Sequence, residues 1–187
     1  EYTRYRTVLV HWGYGIGSAY AYNGEVLRTE RGTYTGIGHI QVNPYSGKQC
    51  QCGDYGCLEA ESALWSMLPC IQELHVMNPE EAVDQPDILS GLSPETYPCF
   101  KSALHYFGIG MKTLCKIYAP DHILFLSPLS RNSHVNRLLH EAVSTAFPDS
   151  FAYLPTINNI GTSFHSCLYA NAQPVIKDIL DRLIRIE

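Results

Sequence analysis

No apolar run in the sequence approaches the ~18 residues needed to span a bilayer, so no membrane-spanning helix is expected. There is no basic excess either: 13 Lys and Arg stand against 18 Asp and Glu, for a formal net charge of −5. Holding a nucleic acid backbone by bulk charge needs clustered Lys and Arg, so this segment is not expected to do it. The N-terminus, Glu1-Tyr2-Thr3-Arg4, has neither an initiator Met nor a secretory apolar segment. It opens almost directly into an apolar strand, so a fragment of a larger protein is expected; a trimmed or processed chain would look the same. The cysteine count, seven, is odd. That argues against a secreted disulfide scaffold and for reduced cytosolic thiols. Internal repeats and low-complexity tracts are also missing.

What remains is ordinary globular material. The 187 residues are 45% hydrophobic and 17% charged, enough for one domain or two small subdomains sharing a core. Residues 7–11 (TVLVH) read as a buried strand. Gly13, Gly15 and Gly17 punctuate the turn after it. Residues 18–22 and 26–29 read as a hairpin around Asn23-Gly24, and 39–42 as a further short strand. Residues 58–77 are helical in pattern, with a break near Pro69, and 78–98 read as a linker with short helical pieces. Phe100, Leu104, Phe107, Met111, Leu114 and Tyr118 recur at helical spacing and predict a long buried helix over 97–119. Gly108 and Gly110 within it suggest close helix contact. Residues 123–126 read as a buried strand. Val135, Leu138, Leu139, Ala142, Val143 and Ala146 make one helix face. A strand at 151–154 and helices at 162–172 and 175–186 follow. A β-meander leading into βα units predicts an α/β fold with a mixed sheet flanked by helices.

The loop over 43–56 is rich in Gly, Pro and Cys and nearly devoid of apolar residues. Burial cannot hold such a loop, so a staple is expected. His39, Cys50, Cys52 and Cys57 supply one imidazole and three thiols, the donor set of a closed tetrahedral Cys₃His zinc site. Gly53 and Gly56 allow the tight turn between Cys52 and Cys57. The expected cofactor is structural zinc. Four ligands leave no position for a reacting water, and the nearby His disfavours iron–sulfur. A cysteine-rich loop without metal is the other reading. Cys70, Cys99, Cys115 and Cys167 are expected to be small buried hydrophobes. His11, His75, His105, His122, His134, His140 and His165 lack metal-like spacing and read as surface or satisfied core residues. Of the 13 tyrosines, seven (Tyr2, Tyr5, Tyr14, Tyr20, Tyr22, Tyr34 and Tyr45) fall in the first quarter. They cover the hairpin face or line a partner surface.

At Gly38-His39 and Cys50-Gln51-Cys52-Gly53-Asp54-Tyr55-Gly56-Cys57-Leu58-Glu59 the sequence resembles the ROK family of bacterial repressors and sugar kinases, whose motif is Gly-His followed by CxCGxxGCxE. The turn Gly13-Tyr14-Gly15-Ile16-Gly17, with Asn23-Gly24 and Gly32, and the strand Ile123-Leu124-Phe125-Leu126-Ser127-Pro128-Leu129 extend the likeness. The resemblance implies an actin-like, ribonuclease-H-like ATPase fold of two lobes with a sugar cleft between them. The whole of 1–187 would be the C-terminal lobe: 1–42 the meander, 43–59 the zinc loop, and 60–187 the helices and remaining strands. The N-terminal lobe and any DNA-binding domain would lie outside this chain.

The resemblance also assigns roles. His39 would bind zinc and help position a sugar, and Glu59 would accept a sugar hydroxyl. Glu59 also reads simply as a carboxylate facing a helix N-terminus. Gly13, Gly15 and Gly17 read as a strand-to-hairpin turn before a vestigial phosphate turn. Three departures weigh against kinase chemistry. Gly36 stands where kinases carry a Glu, Tyr14 where they carry a Thr, and Ser127-Pro128 where they carry paired glycines. Each removes a contact from phosphoryl transfer. No catalytic residue is therefore assigned. The phrase over 41–47 and the step over 126–129 look closer to the repressors of glucose, N-acetylglucosamine and xylose genes. The expectation is the effector-binding and dimerisation domain of a zinc-containing cytoplasmic regulator. It would be a homodimer binding a sugar or sugar-phosphate effector, with DNA reached only through a domain outside this chain. Half of a hexose kinase is the alternative, and a scaffold gripping a protein partner a third reading.

Overall fold

The computed structural model describes residues 5–23, 25–27, 36–71, 81, 84–147 and 154–161. Five strands form one sheet in the order β3-β2-β1-β4-β5, where β1 is Arg6–Trp12, β2 Ile16–Tyr22, β3 Glu25–Val26, β4 His122–Ser127 and β5 Thr156–Gly161. β1, β2 and β3 run antiparallel as a meander, and β1, β4 and β5 run parallel. The mixed sheet expected from the sequence is present. Residues 1–4, 24, 28–35 and 162–187 lie outside the described residues, and so do Gly24, Gly32 and both C-terminal helices predicted there.

Alternation decides which face is covered. Val8, Val10 and Trp12 of β1 and Ile123, Phe125 and Ser127 of β4 are all buried. Parallel pairing sets Val8 beside Ile123 and Val10 beside Phe125, so period-two side chains from both strands make one apolar surface. Helices lie against it: α1 (Leu58–Ser62), α2 (Leu64–Met67), α3 (Pro86–Gly91), α4 (Pro98–Tyr118) and α5 (Ser133–Ala146). Helix α4 is the long buried helix predicted over 97–119. Its Phe107 stacks on Trp12 with ring centroids 3.8 Å apart, and the Trp12 indole N–H donates to the Ser62 carbonyl at 2.7 Å. One side chain thus joins sheet, α4 and the end of α1. The close helix contacts read from Gly108 and Gly110 are also present. A Cβ at Gly108 would stand 3.0 Å from Leu138 of α5, and one at Gly110 would strike Leu58 of α1.

Several predicted elements differ. The strand expected at 39–42 is instead a 3-10 turn over Ile37–His39, followed by an isolated bridge from Gln41 to Cys57. The His39 and Ile40 N–H groups bond back to the Gly36 and Ile37 carbonyls at 3.0 and 3.2 Å, so they are spent in the turn and not in a strand ladder. The helix expected over 58–77 breaks first at Ala63, extended at ψ 156°, and passes into a 3-10 turn at Leu68–Cys70 around Pro69. The strand expected at 151–154 is found later, as β5; Leu154 precedes it in irregular backbone, and 151–153 lie outside the described residues. Cys115 is the buried hydrophobe expected, its thiol pushed up to about 11 by burial. Cys70 and Cys99 are not: Cys70 is exposed and is disulfide-bonded to Cys99.

A charge clasp closes the far edge of β1 and β4. Asp121 accepts hydrogen bonds from the Arg6 backbone N–H and from its Nε and Nη2, and these bonds hold the Asp121 carboxyl below its ordinary value. A carboxylate depressed by folding adds stability above its unfolded pKa, and that stability is lost as pH falls through the folded value. Asp121→Asn is therefore expected to cost about 1 kcal/mol at neutral pH, Arg6 being partly solvated. The difference from wild type should shrink as pH falls below the ordinary Asp range and be lost once the depressed Asp121 carboxyl is protonated in the folded protein. Urea midpoints measured against pH check both points.

Candidate metal centre

The segment from Ile40 to Leu58 folds back on itself through its backbone. The Gly56 carbonyl accepts from both Val42 and Asn43 N–H, at 2.9 and 3.0 Å, and Leu58 N–H donates to the Ile40 carbonyl at 2.9 Å. Inside this neck a tighter turn is closed by Cys50 N–H on the Asp54 carbonyl and Gly53 N–H on the Cys50 carbonyl. Gly56 sits at φ +68°, and a Cβ there would land on the Asn43 carbonyl oxygen. Only glycine fits this position, and the neck closes because of it.

Those two turns carry the four predicted ligands to one place. His39, Cys50, Cys52 and Cys57 present ligand atoms all within 4.8 Å of one another. Cys50 Sγ lies 3.5 Å from His39 Nδ1, and Cys52 Sγ lies 3.7 Å from Cys57 Sγ. Zinc–sulfur bonds of about 2.3 Å and zinc–nitrogen bonds of about 2.0–2.1 Å at tetrahedral angles span about 3.8 Å between sulfurs and about 3.5 Å from sulfur to nitrogen. Both close pairs match those edges. The cluster could hold one metal ion, with Nδ1 as the imidazole ligand; the sulfurs of a multi-iron cluster would stand farther apart. Cys50 and Cys57 are buried, while His39 and Cys52 face solvent. Burial pushes the Cys57 thiol up to about 12 and raises Cys50, while the Asp54 backbone amide lowers Cys52. A cation entering here displaces protons and repays the burial with metal–thiolate bonds.

The loop has polar supports that the sequence reading did not name. Lys48 Nζ reaches Glu61 Oε2 at 3.2 Å, and Glu61 is buried. Asn43 Nδ2 donates to the Tyr106 hydroxyl of α4 at 2.6 Å, and Gln41 Nε2 to the Tyr55 carbonyl at 2.9 Å. The loop is therefore held by these polar contacts as well as by any ion the cluster takes. A carboxylate such as Glu61 among Leu58, Ala60 and Leu64 was the available signal, since a buried charge needs a partner.

Cys57 is the N-cap residue of α1, so the cluster sits at the start of that helix. Glu59, two residues on, turns to the other side. Its Oε2 accepts from Ile16 N–H at 3.0 Å, and Cβ atoms at Gly15 or Gly38 would approach the same oxygen to 3.1 and 3.2 Å. The turn over 13–17 is bound again through its carbonyls: Gly13 accepts from Leu64 N–H at 3.0 Å and Tyr14 from Trp65 N–H at 3.3 Å. The turn therefore caps α2, which otherwise has no side-chain cap. His11 packs over Gly13, and burial lowers its pKa. A side chain on Gly36 would reach the His39 ring at 3.3 Å. Tyr14 and Tyr45 are exposed, Tyr45 almost completely at 96%. Tyr20 stacks on Tyr118, and Tyr5 meets His122 edge-on. Among the described residues no helix is long and apolar enough to cross a membrane.

Comparison with known proteins follows the same lines. The sequence profile of the ROK family matches residues 3–159. The DNA-binding transcriptional repressor Mlc of Escherichia coli K12 is 37% identical over 59 residues, 32% of this chain and 14% of Mlc. A glucokinase of Halalkalibacterium halodurans is 42% identical over 52 residues, 28% of this chain and 16% of the enzyme. The crystal structure of a ROK family glucokinase from Streptomyces griseus, in complex with glucose and AMPPNP, superposes with a TM-score of 0.62 at 17% identity. That match covers 82% of this chain and 55% of the glucokinase. The matched stretches are thus about one-seventh of the curated relatives and about half of the solved structure.

Proposed function

The chain belongs to the ROK family, and from that premise we propose that it is the C-terminal, effector-binding and dimerisation lobe of a cytoplasmic transcriptional regulator of sugar metabolism, with His39, Cys50, Cys52 and Cys57 holding a structural zinc ion. The family contains both repressors and sugar kinases among the relatives matched. The observation that favours the regulator is at the C-terminal ends of β1 and β4. Ser127 is fully buried there; its hydroxyl donates to the Trp12 carbonyl and accepts from Leu129 N–H. Where the family's kinases keep paired glycines for close approach of a nucleotide, this chain has a side chain tied between two strands. Tyr14 at the glycine turn and the missing carboxylate at Gly36 point the same way. Zinc would supply charge and fixed geometry only, because four protein ligands fill its tetrahedron.

In this reading α1 is the coupling element. Cys57 fixes its first residue to the metal loop, and Glu59 fixes its second residue to the turn over 13–17. A sugar that competes for Glu59 would shift α1 and the loop together. The kinase reading draws on the retained pair His39 and Glu59, which the resemblance assigns to sugar binding. Steady-state assays of the full-length protein with ATP and glucose or N-acetylglucosamine separate the two. The regulator is expected to transfer no phosphate above background. Turnover at an ordinary enzymatic rate of about 1–10³ s⁻¹ would establish the kinase instead.

A further inference from the structure

A second thiol pair lies outside the metal cluster and plays no part in the function proposed above. Cys70 ends the 3-10 turn after α2 and is exposed; Cys99 is half-buried in the first turn of α4. Their Cα atoms are 6.5 Å apart, within the range that a disulfide spans without backbone movement. Helix α4 runs for 21 residues, has no side-chain cap at Tyr97 and no acid in its first turn. The helix dipole at that end favours a thiolate at Cys99. The two residues are 29 apart in sequence, so their bond closes a long loop that includes α3. None of the four metal-cluster residues is spent in making it.

We propose that Cys70 and Cys99 form a reversible dithiol–disulfide site, exchanging with low-molecular-weight thiols and disulfides of the glutathione class while the metal cluster stays intact. The Cys99 thiolate attacks one sulfur of the small disulfide and releases the first small thiol. The Cys70 thiolate then attacks the Cys99 sulfur of the mixed disulfide and expels the second. Two electrons pass from the protein to the small disulfide, and the two thiol protons leave on the two small thiols. The bond matters because of where it lies. Cys57 begins the helical run that Cys70 ends. Metal pins one end of that run and the disulfide pins the other to α4. The oxidised form is held at both ends and the reduced form at one.

Titrating the full-length, metal-loaded protein through stepped ratios of reduced to oxidised glutathione tests this. Alkylation and peptide mapping locate each bond, and a colorimetric chelator follows metal release. The expected result is one intrachain bond between Cys70 and Cys99 that forms before any metal is released and reopens with dithiothreitol. Cys70→Ser should instead trap one glutathione on Cys99, with circular dichroism unchanged. Independent alkylation of Cys70 and Cys99 at every ratio would overturn the proposal. So would a first bond drawn from Cys50, Cys52 or Cys57 with release of metal.

Discussion

Cys52→Ser is expected to abolish stoichiometric metal binding and to lower the melting temperature by about 10 °C, the size expected when roughly 3–5 kcal/mol of metal-linked stability is lost from a chain of this length. Cys52 is the right ligand to change because it is exposed. A serine there buries no new hydroxyl and opens no cavity, so the loss reports on coordination. Cys57 is fully buried against Ala60 and Trp65, and its replacement would mix ligand loss with core damage. Wild-type protein treated with a strong chelator should melt at the temperature of the variant, and chelation should leave the variant unchanged. The backbone neck and the Lys48–Glu61 pair predict that the fold survives in both cases. Metal content by elemental analysis with parallel calorimetry decides it. Equal melting of variant and wild type would remove the metal from the account of the loop.

The second large effect is expected far from the metal, at Asn132. This side chain is fully buried and uses its whole amide. Its Oδ1 accepts from His134 and Val135 N–H and caps α5. Its Nδ2 faces the carbonyls of Leu89, Ser90 and Leu92 at 3.0, 3.2 and 2.8 Å. Asn132→Ala loses a cap, worth about 1 kcal/mol, and strands buried carbonyls at about 1–3 kcal/mol more. A total near 3 kcal/mol is expected from denaturant unfolding. Asn132→Asp keeps the cap and turns a carboxylate toward three carbonyls, so it should be no better than Ala. If Asp restored wild-type stability, the cap alone would explain the residue.

Much of this architecture could be read from the chain. The heptad-like recurrence from Phe100 to Tyr118 fixed α4, because a long buried helix leaves a periodic trace that no other element mimics. The four candidate ligands stand out for a different reason: sulfur and imidazole at short spacing in an otherwise apolar-poor loop have few other uses, and the fold brings their ligand atoms within 4.8 Å of one another. Features that depend on distant partners were harder to see. Asn132 looks like any polar residue before a helix until Leu89, Ser90 and Leu92 are brought to it by the fold. Glu59 left two readings open, and the structure adds a partner, Ile16, that lies 43 residues upstream. The 39–42 segment is not a strand because His39 and Ile40 turn their N–H groups back to the Gly36 and Ile37 carbonyls, a local choice that apolar patterning does not register. Nothing in the spacing of Cys70 and Cys99 signals that the 3-10 turn after α2 ends beside the start of α4.

Three glycines of the metal loop, Gly47, Gly53 and Gly56, share left-handed backbone angles, yet only Gly56 is hemmed in; Gly47 and Gly53 have open space where a side chain would stand. The segment is thus a rigid ring with a free bezel. At Gly56 its neck admits one residue type, while the exposed side chains of Tyr45 and Tyr55 can change what the loop shows to solvent without disturbing the four candidate ligands.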